Sequence, residues 1–171
     1  MQRAANSGVT VVGYEANGGF LTQTDTTVGG KRLSPLPTRD AVLPILAILH
    51  SCAKRRCPVS ELVGDLPGRF THSDRIKGVP TEVSLEKLEE LQKSDAVEFL
   101  ASLGEIYEGE LGNIQSIDTT DGLRATLTGG SIFHLRPSGN APELRCYTEA
   151  DSEATAQALN KACIEVMRGW S

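Results

Sequence analysis

Hydrophobic positions recur with two different periods along this chain, and the changes of period predict its elements. The strongest alternation runs through Ile132-Phe133-His134-Leu135-Arg136 and Glu143-Leu144-Arg145-Cys146-Tyr147-Thr148. Period two reads as half-buried strands. Paired as a hairpin with Arg136 opposite Glu143, the two put Phe133, Leu135, Leu144, Cys146 and Thr148 on one face, the candidate core face. His134, Arg136, Glu143, Arg145 and Tyr147 fall on the other. Upstream, Ile114 and Ile117 mark a short strand, and Thr120-Asp121-Gly122 is a hairpin signal. Leu123 to Leu127 forms the next strand, and Thr128-Gly129-Gly130-Ser131 another turn. Val9 to Tyr14 and Gly68 to Ser73 read as further strands, and Phe20 to Ser34 as a hairpin or loop.

The helical period occupies the rest. Val42, Leu43, Ile45, Leu46, Ile48 and Leu49 follow Thr38, a suitable N-cap, and are apolar on most sides, which predicts a well-buried helix. Pro58 to Val63 reads as a short helix. Leu85, Leu88 and Leu91 form one stripe behind Ser84 as a cap, and Asp95 with Glu98 has capping-box spacing before a second helix that Gly104 would stop. Ala156, Leu159, Cys163, Ile164 and Met167 are the expected buried stripe of a closing helix from Ser152 to Arg168. Asp74 to Pro80 is polar, carries Gly78 and Pro80, and reads as a linker. From about residue 80 onward the pattern describes an α+β module: a four-stranded, mainly antiparallel sheet with helices against one face.

Composition narrows the function classes. A formal net charge of −5 argues against a general nucleic-acid surface, so an anionic ligand must be met by a local basic site. Aromatic residues make up only 5%, which predicts an aliphatic core. Cys52, Cys57, Cys146 and Cys163 show no disulfide-framework spacing, and reduced thiols in a cytoplasmic protein are the expectation. No apolar run is long enough to span a membrane, and the N-terminus lacks a signal-peptide pattern.

One stretch stands out chemically: Arg136-Pro137-Ser138-Gly139-Asn140-Ala141-Pro142, followed by Glu143-Leu144-Arg145. Two prolines restrict its backbone, and Gly139 permits close approach of a ligand. Ser138 and Asn140 offer donors, and both arginines fall on the open face where bidentate contact with phosphate oxygens is possible. An ordinary hairpin loop with two solvated arginines is the competing account. A second polar turn, Glu15-Ala16-Asn17-Gly18-Gly19, follows the Val9–Tyr14 strand and suits a small hydroxylated ligand; a plain glycine turn competes with it. Val28-Gly29-Gly30-Lys31-Arg32 lacks the spacing of a nucleotide loop. His50, Cys52 and Cys57 lack a fourth ligand for zinc, and His72-Ser73-Asp74, as sequence neighbours, cannot face one another as a triad.

Four segments in order sharpen the picture: Gly13 to Phe20, Leu36 to Ala41, Arg69 to Arg75, and Arg136 to Arg145. Together they resemble the C-terminal part of bacterial phosphomannomutases and phosphoglucomutases, of the α-D-phosphohexomutase superfamily. The resemblance implies that residues 1–75 are the end of the family's third domain, a partial mixed-sheet α/β domain, and that 76–171 are its fourth. It implies that Glu15, Asn17 and Gly18 bind sugar hydroxyls, and that Arg136, Ser138, Gly139, Asn140 and Arg145 bind the phosphate that is not transferred. The implied ligand is a hexose phosphate, mannose or glucose 1- or 6-phosphate, in an enzyme that moves phosphate between C6 and C1. Asn17 stands where relatives often carry serine, and Gly19 where they often carry histidine. The family's phosphoserine loop and its magnesium motif, Asp-x-Asp-x-Asp-Arg, do not occur in these residues. No catalytic or metal-binding residue is therefore assigned to this chain. The Mg²⁺ of the full-length family belongs with the preceding domains, which are expected partners, and this chain alone is expected to be inactive. A stand-alone sugar-phosphate-binding module and an inert fragment are the alternatives.

Overall fold

The alternation read from Ile114 to Ala150 does fold into a sheet, but the sheet has one more strand than the pattern announced. In the computed structural model, which describes residues 9–14 and 19–170, the chain divides into two units, Met1–Leu66 and Pro67–Ser171.

In the first unit, β1 (Val12–Tyr14) pairs antiparallel with β2 (Phe20–Thr22), and β3 (Thr26–Val28) with β4 (Lys31–Leu33). Gly29 and Gly30, at φ +58° and +76°, make the two-residue turn of the second hairpin, where both central residues need positive φ. Helix α1 (Val42–Arg55) and the short α2 (Val59–Gly64) follow. Thr38 does not cap α1; Asp40 Oδ1 accepts the amides of Val42 and Leu43 at 2.7 and 2.9 Å. The expected mixed α/β sheet is corrected here: among the described residues this unit holds two separate antiparallel hairpins and no parallel pairing. Strands of three residues offer too few ladder positions to build a larger sheet. Helix α1 is corrected as well, since none of its residues is buried.

The second unit is a five-stranded antiparallel sheet in the order β5-β9-β8-β7-β6. Its elements are β5 (Phe70–Lys77), α3 (Thr81–Lys93), α4 (Val97–Ile106), β6 (Ile114–Asp118), β7 (Leu123–Leu127), β8 (Ile132–Pro137), β9 (Glu143–Ala150) and α5 (Glu153–Arg168). The four-stranded expectation fails because the strand read at Gly68 to Ser73, placed before the module, continues through Asp74 to Lys77, read as linker, and joins the sheet as β5. All eight of its residues pair with β9, Phe70 opposite Ala150 through Lys77 opposite Glu143. β5 is an edge strand with mostly exposed side chains, so no period-two hydrophobic signal marks it.

One face of this sheet is dry. Leu123, Ala125, Leu127, Phe133, Leu135, Leu144 and Cys146 meet Leu88 and Leu91 of α3, Phe99 and Leu103 of α4, and Leu159, Cys163 and Met167 of α5. Phe99 stacks tilted against Phe133 and Trp170, with ring centroids 5.2 and 5.6 Å away, so the largely aliphatic core has an aromatic centre. Ser152 caps α5 by accepting the Thr155 amide at 3.1 Å. Other helix boundaries moved. Helix α3 starts at Thr81, with Ser84 buried inside it. Ala96 in the left-handed region, rather than an Asp95 capping box, opens α4, and Gly104 lies within it. Among the described residues no helix is long and apolar enough to cross a membrane.

Candidate functional site

The arginine-bearing face of the sheet is built by register. β8 and β9 pair with Arg136 opposite Arg145 and Pro137 opposite Leu144. The expected pairing, Arg136 with Glu143, is off by two residues. A slip of two preserves the faces, so Phe133, Leu135, Leu144, Cys146 and Thr148 are all buried as predicted. The consequence is chemical: the two guanidiniums leave directly opposed positions on neighbouring strands.

The loop that joins them is tied by its own bonds. The Ser138 amide donates to the Glu143 carbonyl and the Glu143 amide to the Ala141 carbonyl, each at 2.8 Å. The Asn140 amide reaches Ser138 Oγ at 3.4 Å, and Ser138 is buried. These bonds leave out the amides of Gly139 and Ala141. From the neighbouring strand, the Gly78 amide donates to the Pro142 carbonyl at 2.8 Å, which ties the loop to the end of β5. The loop is thus a preformed structure, not a slack connection.

Each arginine has an acidic neighbour. Arg136 Nη1 lies 3.1 Å from Asp121 Oδ2, and Arg145 Nη2 lies 3.6 Å from Glu143 Oε2. Asp121 is brought there by the turn between β6 and β7. Gly122, at φ +88°, presses on β8 so closely that a Cβ would stand 2.3 Å from the Leu135 carbonyl oxygen and 3.1 Å from Arg136 Cα. Only glycine fits that contact. Arg145 Nε is buried and meets no hydrogen-bond acceptor among the described residues. Such an unpaired donor costs about 1–3 kcal/mol and is uncommon in a native fold.

Sequence reasoning missed Arg75 as a member of this face. It sits on β5 directly opposite Arg145, with its Nε 3.5 Å from Glu143 Oε1. Arg75 was quoted within a motif, but the linker reading of Asp74 to Pro80 hid its alternation with Ser73 and Lys77. An open depression of about 600 Å³ lies here, lined by Ser73, Asp74, Arg75, Lys77, Arg145 and Tyr147. Farther along the same face, Arg69 pairs with Glu149 at 2.7 Å and donates to the Gly130 carbonyl at 2.7 Å, a satisfied structural pair. Glu15, Asn17 and Gly18 lie outside the described residues. The magnesium motif of the resembled family is absent from the sequence, and the described residues hold no group of three metal-ligating side chains.

Comparison with known proteins places the chain in a family. Residues 77–166 match the model of the phosphoglucomutase/phosphomannomutase C-terminal domain. A phosphomannomutase of Salmonella muenchen is 43% identical over 146 residues, which are 85% of this chain and 29% of that protein. A phosphomannomutase of Sinorhizobium fredii is 41% identical over 149 residues, 87% of this chain and 30% of that protein. A probable phosphoglucosamine mutase of Methanopyrus kandleri is 29% identical over 111 residues, 65% of this chain and 21% of that protein. The chain therefore spans under a third of the length of these curated relatives. It belongs to the phosphoglucomutase/phosphomannomutase family and carries that family's C-terminal domain.

Proposed function

We propose that this chain is the substrate-binding C-terminal portion of a phosphohexomutase and holds the phosphate of a hexose phosphate that is not being transferred. The observation that carries the reading is the opposition of Arg136 and Arg145 across the β8–β9 hairpin, joined by a loop whose own bonds fix it. Planar guanidiniums match phosphate oxygens bidentately, and the Gly139 backbone allows close approach. Arg136, Ser138, Gly139, Asn140 and Arg145 are the phosphate-binding group in this reading. Glu15, Asn17 and Gly18 bind the sugar hydroxyls.

This division suits the chemistry. Phosphoryl transfer depends mainly on positioning and charge stabilisation. A rigid clamp on one phosphate leaves the sugar free to present either end to a phosphoryl donor. That donor is absent from this sequence, and the chain alone should have no mutase turnover. Mannose and glucose phosphates are both suitable ligands, since the clamp reads the phosphate and not the hexose.

An amide-resolved NMR titration with mannose 6-phosphate tests the reading. Shifts should cluster at residues 136–145 and be lost in Arg145→Ala, with affinity falling roughly 10–100-fold for a lost charge-assisted contact of about 1.5–3 kcal/mol. Shifts that are scattered, or unchanged in the variant while the sheet stays folded, would reject the clamp.

A further inference from the structure

The phosphate-binding reading takes its residues from one hairpin, but the basic row does not stop there. Arg75 opposes Arg145 across β5–β9, and Arg145 opposes Arg136 across β9–β8, so three arginines stand abreast on three neighbouring strands. Adjacent Cα atoms in such a row are about 5 Å apart. Like charges directly opposed are destabilising in a sheet, and this row contains two such pairs in succession.

The acidic neighbours do not explain Arg75. Glu143 serves both Arg75 and Arg145, at 3.5 and 3.6 Å, beyond the 2.7–2.9 Å of a charge-assisted hydrogen bond. The Arg69–Glu149 pair on the same face, at 2.7 Å, shows what a structural bridge looks like in this molecule. Glu143 is only 15% exposed, whereas Arg75 keeps half of its side-chain surface in solvent. Asp74, the other acid at the depression, accepts the Arg75 backbone amide at 2.8 Å. The depression, moreover, opens on the β5 side of Arg145, where Arg75 and Lys77 add their charge, and not over Arg136.

We infer that the anion site extends onto the edge strand, with Arg75 a third phosphate-binding arginine that shares the ligand with Arg145. This rests on the phosphate-binding reading above. Glu143, between the two guanidiniums, keeps them apart and aimed outward until the phosphate arrives. A purely structural Arg75 would have one task, to neutralise Glu143, and that difference is measurable.

Inorganic phosphate and mannose 6-phosphate are titrated at low salt into the full chain and its Arg136→Ala, Arg75→Ala, Arg75→Lys, Glu143→Gln and Arg75→Ala/Glu143→Gln variants. Core amide resonances report whether each variant is folded. Arg75→Ala should weaken both ligands about tenfold, the size of one charge-assisted contact. Arg75→Lys should retain part of the affinity, and the loss should persist when Glu143→Gln is added. Full recovery in the double variant would make Arg75 a mere counter-ion of Glu143 and overturn the inference, as would unchanged binding in Arg75→Ala. If Arg136→Ala abolishes binding while Arg75→Ala does not alter it, this inference fails and the hairpin clamp stands. If the unmodified chain binds neither ligand, both fail.

Discussion

Helices α1 and α5 are of similar length, 14 and 16 residues, yet α1 buries none of its residues and α5 buries seven. By residue count α1 is the more apolar: Val42, Leu43, Ile45, Leu46, Ile48 and Leu49 crowd its first half, whereas α5 mixes Glu, Gln, Asn and Lys with its apolar positions. What separates them is the layer each has to pack against. Helix α5 carries one stripe that fits one sheet face, and Asn160 at its centre donates to the Cys146 carbonyl at 3.1 Å. Helix α1 meets no such layer among the described residues, and Ile45, Leu46 and Leu49 are each more than half exposed. Hydrophobicity states a demand for burial; only a facing layer can meet it.

The comparison breaks if the two units respond alike to truncation. Phe133→Ala should cost the second unit about 3–5 kcal/mol, because the ring is fully buried against Phe99 and leaves a cavity. Leu46→Ala, at a position 58% exposed, should change stability by less than about 0.5 kcal/mol. Denaturant unfolding followed by resolved amide signals reads each unit separately. A cost of several kcal/mol at Leu46 would mean that α1 is covered in solution.

The same contrast explains what could be read in advance. β7 and β8 were legible to the residue at their starts because each follows a glycine turn, with strict alternation in β7 and Phe133 and Leu135 on one face of β8. The α5 stripe was legible for the same reason. Only the first half of β5 was, as the Gly68 to Ser73 strand; its continuation through Asp74 to Lys77 was not, since an edge strand buries too little for alternation to show, and Arg75 was missed with it. The site's residue types were legible in the Arg136–Arg145 stretch. Their register was not, because slips of two residues preserve every face and only the loop's bonds decide between them. The role of Gly122 in bringing Asp121 to Arg136 needed the fold, for the hairpin signal named a turn and not what it would press against.

Caps sharpen the comparison at a smaller scale. Ser152→Ala should cost about 1 kcal/mol and appear as a shift of the whole second unit, since α5 unfolds together with the sheet it packs on. Asp40→Ala removes a comparable pair of bonds from Val42 and Leu43, but α1 has no buried face to couple it to anything else. Its effect should be local fraying, seen as faster hydrogen exchange confined to the first turns of α1. Exchange accelerated evenly across the first unit would show that α1 is part of a cooperative core after all.

The cysteines give the finest probe, because each unit holds two. Cys52 and Cys57 are half-buried in or beside α1, while Cys146 and Cys163 are fully buried in the second unit. A thiol reagent at pH 8 should modify two cysteines promptly and the other two only as the sheet opens; denaturant should equalise all four. Burial, with the neighbouring Cys146, pushes the Cys163 thiol well up from its ordinary value. The sign of the pH dependence follows. An acid whose folded pKa lies above its unfolded pKa holds its proton more tightly when folded. Its contribution to stability is therefore complete below the unfolded thiol value of about 8.5 and is lost as pH rises through the folded one. The second unit should weaken above about pH 8.5, where the unfolded thiol ionises and the folded one does not. Cys163→Ala should lose that slope, while Cys52→Ala should leave it in place. An unchanged slope in Cys163→Ala would assign the alkaline weakening to other groups, and the contrast in thiol reactivity would then rest on access alone.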